Sequence, residues 1–258
     1  MRVKIGTYNI AHGCGVASNR WQGGSMSHRS YRLMAIAALI KDMDVVVLNE
    51  ADFSAPWSFW IHNHETIMKG LADFKYSMSV ENSTVGWQSG NVILSRYPLS
   101  NREIIALPQH SPVAGFRRDA LAATVTPPNG KAFKIVAVHL DWHSFSRVRR
   151  LSILALFSYM QKQTLPVVIA GDFNSTPFSF PHCQDLNPTA LDIMIQSKAF
   201  ITHPMVHPLP ETLTFPSYDP KLVLDWIFVP TFWKILDYRT RDVLFSDHRP
   251  ILAEFETG

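Results

Sequence analysis

The chain has 258 residues, of which 47% are hydrophobic and only 17% are charged, against about 25% in an average globular domain. Apolar residues are too plentiful for a disordered chain. The balance of 24 basic and 21 acidic residues gives a formal charge of +3, which offers no support for a concentrated basic nucleic-acid-binding face. Two cysteines, Cys14 and Cys183, cannot form a disulfide framework, and we expect unpaired thiols.

Short β-branched runs bounded by turn residues predict a series of strands. In chain order, these strands are Val3–Asn9, Val45–Asn49, Asn91–Ser95, Leu121–Val125, Phe133–His139, Val167–Ala170, Leu224–Val229 and Ile251–Phe255. Apolar residues at helical spacing predict helices at about residues 30–41, 57–71, 146–162 and 189–198. Wholly apolar strands indicate sheets that are covered on both faces. We therefore expect a single α/β domain over residues 1–258, with sheets flanked by helices.

No stretch reaches the roughly 18 apolar residues that a membrane-spanning helix needs. The first residues have no apolar core of signal-peptide length and resemble the start of a strand instead. We therefore expect a cytoplasmic protein without a transmembrane segment. We also expect a monomer.

Polar side chains recur where the buried strands end. These residues are Asn9, Glu50, His139, Asp172, Asn174, Asp225, Asp247 and His248. A single carboxylate at a strand end is usually a turn former or a helix cap. Six apolar runs flanked in this way are hard to explain by turn chemistry alone, and α/β sheets place their sites at strand ends.

The residue types indicate a hard metal ion and a phosphate group. Carboxylate and amide oxygens suit Mg²⁺, which keeps several of its waters when a protein binds it. Asp172 and Asn174 are two residues apart and share one face of an extended chain. His139 and His248 are of the residue type that titrates near neutral pH, as proton transfer requires.

Seven short segments follow one another from residue 7 to residue 251. They are Thr7-Tyr8-Asn9, Leu48-Asn49-Glu50, Gly90-Asn91-Val92-Ile93-Leu94-Ser95-Arg96, Val138-His139-Leu140, Gly171-Asp172-Phe173-Asn174, Leu224-Asp225-Trp226-Ile227-Phe228 and Ser246-Asp247-His248-Arg249-Pro250-Ile251. This ordered series resembles the endonuclease/exonuclease/phosphatase superfamily with the DNase I-like fold. The resemblance implies a four-layer α/β sandwich with two facing mixed β-sheets flanked by helices. It also implies a Mg²⁺-dependent phosphoester hydrolase, with Mn²⁺ as a substitute, that acts by direct water attack.

The resemblance implies roles for individual residues. Asn9 and Glu50 resemble ligands of the divalent cation, and Asp247 resembles a ligand that binds it directly or through water. Asp172 and Asn174 resemble the pair that orients the attacking water and the phosphate oxygens.

The two histidines of the motifs also have counterparts in the family. His248 resembles the general base or phosphate contact, and Asp225 resembles the carboxylate that orients its ring. His139 resembles the second histidine of the site, which stabilises the pentacovalent charge or assists the leaving group.

Substrate contacts are predicted at two further places. Asn91 has two equal interpretations, one as a substrate-binding residue and one as a brace for loops near the site. Arg117 or Arg118, on a loop that enters a strand, is a candidate phosphate contact. The expected partner is a phosphate ester, most simply a phosphodiester. The alternatives are a nuclease acting on DNA or RNA and a non-catalytic binding protein on the same scaffold.

Three departures separate the chain from the best-known subfamilies. Asn49 stands where the family more often has Gln. The segments 51–53 and 224–226 differ from those of apurinic endonucleases and inositol polyphosphate 5-phosphatases, respectively. The pattern favours an uncharacterised bacterial type of hydrolase.

Other polar residues have simpler interpretations. Arg147, Arg149 and Arg150 lie in a predicted helix and are expected on a solvated face. His62 and His64 are expected at exposed helix positions.

Two further groups are possible site residues by spacing or position. His203 and His207 have the spacing of a helical metal pair, but a proline follows each, which excludes the helix. Trp142, Phe178 and Phe180 are candidates for a rim around the site, with packing as the alternative.

Overall fold

Twelve strands and four α-helices form in the part of the chain that the structure, a computed structural model, describes, which is residues 1–60, 63–82, 86–109, 118–143 and 146–258. The strands are β1 (Arg2–Asn9), β2 (Val45–Ser54), β3 (Tyr76–Glu81), β4 (Gln88–Ser95), β5 (Leu99–Ile105), β6 (Ala120–Val125), β7 (Phe133–His139), β8 (Val167–Asp172), β9 (Phe200–Ile201), β10 (Asp225–Pro230), β11 (Lys234–Thr240) and β12 (Ile251–Glu256). The helices are α1 (Met26–Ile40), α2 (His64–Leu71), α3 (Ser146–Met160) and α4 (Ala190–Gln196).

The strands form two mixed sheets of six strands each. One sheet has the order β11-β12-β1-β2-β4-β3, and the other has the order β5-β6-β7-β8-β10-β9. β1 pairs with β2 in parallel, and β7 pairs with β8 in parallel, whereas the other neighbours are antiparallel. The parallel pairs bring Asn9 level with Asn49 in one sheet and His139 level with Asp172 in the other.

Three apolar layers hold the sheets and helices together. Alternate side chains of β2 point in opposite directions, so that Val45 and Val47 lie between the sheets while Val46 and Leu48 lie under α1. A third layer fills the space between the other sheet and helices α3 and α4. This arrangement confirms the predicted four-layer sandwich and explains why single strands are apolar on both faces.

The structure confirms all eight predicted strands, several of them one to five residues longer. The expected helix over residues 57–71 is wrong in its first half. A 3₁₀ turn covers Pro56–Ser58, two residues with positive φ follow it, and α2 begins only after the Asn63 cap.

Both cysteines are free thiols, as expected. Among the described residues, no helix is both long and apolar enough to cross a membrane.

Candidate active site

The ends of the central strands converge on Asp172. Asn9, from the other sheet, donates its Nδ2 hydrogen to Asp172 Oδ2 at 3.0 Å. His139 Nε2 lies 3.6 Å from the same oxygen, and His248 Nε2 lies 3.7 Å from it. Two histidines and an amide therefore surround one buried carboxylate.

Asn49 ties the two sheets together beneath this carboxylate. Its Nδ2 donates to Asn91 Oδ1 within its own sheet and to Val138 O across the interface, both at 2.8 Å. Its Oδ1 accepts the Asp172 backbone N–H at 3.0 Å. Because the side chain is fully buried, these bonds replace water contacts and fix the backbone of Asp172. The one sequence feature that could have indicated this role is the unusual amide before Glu50.

Asp225 holds the ring of His248. Its Oδ2 lies 2.8 Å from His248 Nδ1, and both groups are buried. Burial lowers the pKa of His248, but the charges of Asp225 and Asp172 outweigh it and raise that pKa well above its ordinary value. The two carboxylates therefore favour the imidazolium form of this ring.

Asp172 is a buried carboxylate, and burial disfavours its negative charge. Burial raises its pKa to about 7, and Asp225 adds to this rise, while His248 opposes it. Asn174 donates its backbone N–H to Asp172 Oδ1 at 2.8 Å, and its own side chain is anchored on Leu140 O. Asp172 can therefore accept a proton near neutral pH.

Arg118 sets the protonation of His139. Its Nη1 lies 2.9 Å from His139 Nδ1. A guanidinium can only donate, so Nδ1 accepts and the ring proton lies on Nε2, on the side of Asp172 and Glu50. Burial, followed by the Arg118 charge, lowers the pKa of His139 well below its ordinary value. His139 is therefore a neutral donor, in contrast to His248.

Glu50 and Asp247 line one cavity of about 380 Å³ together with Arg118, His139 and Trp142. The Glu50 side chain is 30% exposed there. Burial raises the pKa of Asp247, and Glu50 raises it further, although His248 opposes the rise. Two carboxylates that repel each other across a polar cavity fit a hard divalent cation between them.

Asn9 is the third predicted ligand, and both the oxygen and the nitrogen of its side-chain amide already form hydrogen bonds. Its Oδ1 accepts the Ala11 N–H at 3.0 Å while its Nδ2 donates to Asp172. Nearby, Asp172, Asp225 and His248 offer ligand atoms that all lie within 4.8 Å of one another.

Sequence reasoning missed the partners of Glu50. His12 Nε2 lies 3.1 Å from Glu50 Oε2, and His12 Nδ1 lies 2.6 Å from Asp52 Oδ1. Trp57 donates its indole N–H to the other oxygen of Asp52 at 2.8 Å. Burial opposes both effects, but Glu50 and Asp52 raise the pKa of His12 to about 9, and His12 holds the pKa of Glu50 well below its ordinary value.

The predicted substrate residues have different surroundings. Arg118 lines the cavity, and its role as a phosphate contact stays a prediction. Asn91 is fully buried, accepts from Asn49 and donates to Asp119 O at 3.1 Å, which favours the bracing role. Arg117 lies outside the described residues.

Two predicted surface residues are buried. Arg149 was expected on a solvated face, but it pairs with Asp185 and donates to the carbonyl oxygens of Asp141 and His143. His64 was expected to be exposed, but its Nδ1 accepts the backbone N–H of a β2 residue at 3.0 Å. His62 lies outside the described residues.

The remaining candidates divide between surface and core. Trp142 is 64% exposed at the cavity, Phe178 is also exposed, and Phe180 packs in the core beside Trp226. The segment with His203 and His207 forms no helix, as expected.

Similar proteins agree with this fold. Among curated proteins, the uncharacterized protein YbhP of Escherichia coli K12 is 30% identical over 176 residues, which cover 64% of this chain and 62% of YbhP, less than two thirds of its length. Among solved structures, the mannosyl-6-phosphatase of Bacteroides thetaiotaomicron superposes with a TM-score of 0.76 at 16% identity, covering 99% of this chain and 100% of that chain. The human Nocturnin catalytic domain does so with a TM-score of 0.68 at 16% identity, covering 99% and 94%, respectively.

A structure from Beutenbergia cavernae, described as an endonuclease/exonuclease/phosphatase, has a TM-score of 0.75 at 20% identity and covers 100% of this chain and 72% of that chain. The model of the Endonuclease/Exonuclease/phosphatase family matches residues 6–248. Members of this family are phosphoester hydrolases that generally depend on divalent metal ions. The chain belongs to the endonuclease/exonuclease/phosphatase family.

Proposed function

We propose that the protein is a Mg²⁺-dependent phosphoester hydrolase that acts on phosphodiesters. The observation that supports this proposal is the geometry around Asp172. His139 Nε2 and His248 Nε2 lie 3.6 and 3.7 Å from one oxygen of this buried carboxylate. Burial raises the pKa of Asp172 to about 7, while the surrounding charges raise the pKa of His248 and lower that of His139. Such a set provides a base and two donors in one buried place.

Glu50 and Asp247 would hold the metal ion, with Asn9 as a further oxygen ligand. When bound, the ion neutralises phosphate charge and favours attack by water. Mn²⁺, which accepts the same oxygen ligands, is expected to substitute for Mg²⁺.

The protein's own residues would perform the remaining steps. Asp172 takes the proton of the attacking water as the new P–O bond forms and the bond to the leaving oxygen breaks. His248 and the Nε2–H of His139 donate to oxygens that gain charge in the transition state. Asn174 and Arg118 orient the phosphate.

The two alternatives make different predictions. A nuclease would use the same chemistry on DNA or RNA, and its activity would fall steeply with salt because phosphate contacts release counterions. A binding protein would retain affinity for phosphate esters without turnover. The complete set of charged groups around Asp172 favours catalysis over binding alone.

The test uses purified protein with Mg²⁺ or Mn²⁺ on a panel of a phosphomonoester, a simple phosphodiester, single-stranded DNA and RNA at two salt concentrations. Asp172→Asn should reduce kcat by about a thousandfold, because a general base contributes about 10² to 10⁴. Asp237→Asn, which changes an exposed carboxylate in the same way, should have no effect. Absence of turnover on every ester, or full activity of Asp172→Asn, would refute the proposal.

A further inference from the structure

Arg20 is a second arginine in the catalytic cavity. It lines the same space as Glu50, Arg118 and Asp247. Its guanidinium lies 4.8 Å from the ring centroid of Trp57 and 5.8 Å from that of Trp87. Within the described part of the chain, no carboxylate forms an ion pair with it. Contacts with aromatic faces leave the N–H groups of a guanidinium able to bind an anion.

The backbone carbonyl of Arg20 accepts hydrogen bonds from two side chains, those of Arg29 and Cys14. Arg29, which is 1% exposed, donates to the carbonyl oxygen of Arg20 and to that of His12. Cys14 Sγ donates to the same Arg20 carbonyl at 3.3 Å. Trp57 is in turn held by its bond to Asp52. Buried groups therefore fix the backbone of Arg20, and its guanidinium lies over two indole rings.

Among the described residues, the guanidinium of Arg20 contacts two aromatic rings and no carboxylate, so its charge is available to an anion. A divalent cation would lie against Asp247 and Glu50, and Glu50 is also paired with His12. Burial lowers the pKa of Arg118, nearby carboxylates oppose this, and the charge of Arg20 lowers it further, so the two guanidinium groups interact repulsively. Arg118 bonds to His139 beside Asp172, where the scissile phosphate is expected. Arg20 is therefore available to bind a negative group other than the scissile phosphate.

We propose that Arg20 binds a second anionic group of the substrate, a phosphate or a carboxylate, beside the scissile phosphate. The preferred substrate is then a phosphate ester that carries a further negative charge. This inference rests on the proposed function, because it assumes that the scissile phosphate lies between Arg118 and Asp172.

The first test measures binding by calorimetry in the presence of Mg²⁺ and needs no turnover. The ligands are propyl phosphate and its analogues with a terminal carboxylate or a terminal phosphonate. We expect at least one charged analogue to bind about tenfold more tightly than propyl phosphate, since charge-assisted bonds to a guanidinium are strong. The better of the two analogues identifies the anionic group.

Three variants decide whether Arg20 causes this preference. Arg20→Gln should bring the affinities of the three ligands together, and Arg20→Lys should restore part of the preference. Arg241→Gln, which removes one positive charge from an exposed residue outside this cavity, should leave the preference intact. Equal affinities in the unmodified protein, or an unchanged preference in Arg20→Gln, would overturn the inference.

A second test repeats the comparison as kinetics on propyl p-nitrophenyl phosphate and its two charged analogues. Selectivity in kcat/KM that disappears in Arg20→Gln supports the inference. Hydrolysis of all three esters with equal kcat/KM refutes the inference and leaves the proposed function standing. A binding preference without hydrolysis of any ester supports the inference about Arg20 and refutes the proposed function.

Discussion

His12 contacts Glu50, the proposed metal ligand, and would act on the metal site through it. It bridges Glu50 and Asp52, and both His12 and Glu50 have positive φ, a backbone conformation that costs free energy outside glycine. Strain of this kind persists where surrounding contacts fix the geometry. Because neither the spacing nor the residue types around position 12 indicate a contact with position 50, the sequence did not predict this bridge.

We expect His12→Gln to weaken Mn²⁺ binding by about 10- to 100-fold, the usual effect of removing a partner of a metal ligand. The physical reason is that Glu50 loses the group that orients Oε2. Calorimetry or electron paramagnetic resonance of Mn²⁺ measures this directly, and His207→Gln, at an exposed loop residue, is the matched control. Equal Mn²⁺ affinity in His12→Gln would show that the bridge is only structural.

His139 and His248 should differ in protonation although they approach the same oxygen. In metal-free protein at neutral pH, nitrogen-15 spectra should show His139 as the neutral Nε2–H tautomer and His248 as an imidazolium. Asp225→Asn should lower the pKa of His248, because the charge that faces Nδ1 is lost. Common titration of both rings near their ordinary pKa would contradict this assignment.

Two strands carry glycines where another residue would collide with the neighbouring strand. A Cβ at Gly171, on β8, would lie 1.9 Å from Val138 O of β7, and its φ of +143° disfavours any L side chain. A Cβ at Gly90, on β4, would lie 1.9 Å from Val80 O of β3. The glycines of the two sequence motifs therefore serve close strand pairing beside the site.

Gly171→Ala should lower the free energy of unfolding by at least about 2 kcal/mol, through backbone strain and displacement of β7. Urea unfolding measures this change. Gly70→Ala in α2 is the control, because nothing lies within 4 Å of its Cβ and alanine favours a helix by about 1 kcal/mol. Similar stability changes in both variants would refute the argument.

Elements differ in how well their sequence predicts them. Buried central strands such as β7 were predicted to the residue, because continuous apolar runs between turns admit few alternatives. The edge strand β5 was missed because its outward residues are polar and exposed. The helix over 57–71 was overextended because Trp57 packs against His12 and Trp21 from a 3₁₀ turn, a contact that helical spacing does not reveal.

The site as a whole lies at the junction of the two sheets. Asn9 reaches Asp172 from one sheet to the other, and Asn49 bonds to Val138 and Asp172 across the same boundary. Of the residues at predicted strand ends, Asn9, His139 and His248 lie next to Asp172 at this junction. The bracing by Asn49, which is set by the distance between the sheets, became visible only in three dimensions.

This concentration of buried charge should make the stability of the metal-free protein depend on pH. The pKa of His12 is raised to about 9 and that of His248 well above its ordinary value, against 6.5 for both in the unfolded chain. Between pH 6.5 and 9 the folded state therefore binds more protons than the unfolded state. The stability contributed by these two histidines is then fully present below pH 6.5 and is lost as the pH rises. Asp172, whose pKa is raised to about 7, acts in the same direction at the acidic end of this range. His139, whose pKa is lowered, changes charge below this window and does not contribute.

We expect the free energy of unfolding in EDTA to fall between pH 6.5 and 9, with a slope approaching about 1.4 kcal/mol per pH unit for each histidine. Urea unfolding across this range measures the slope, and His12→Gln should make it shallower, whereas His207→Gln should not. Mg²⁺ should restore more stability at the alkaline end, because it binds deprotonated carboxylates of the folded state. A flat or rising stability in EDTA would contradict the charge assignment of both histidines.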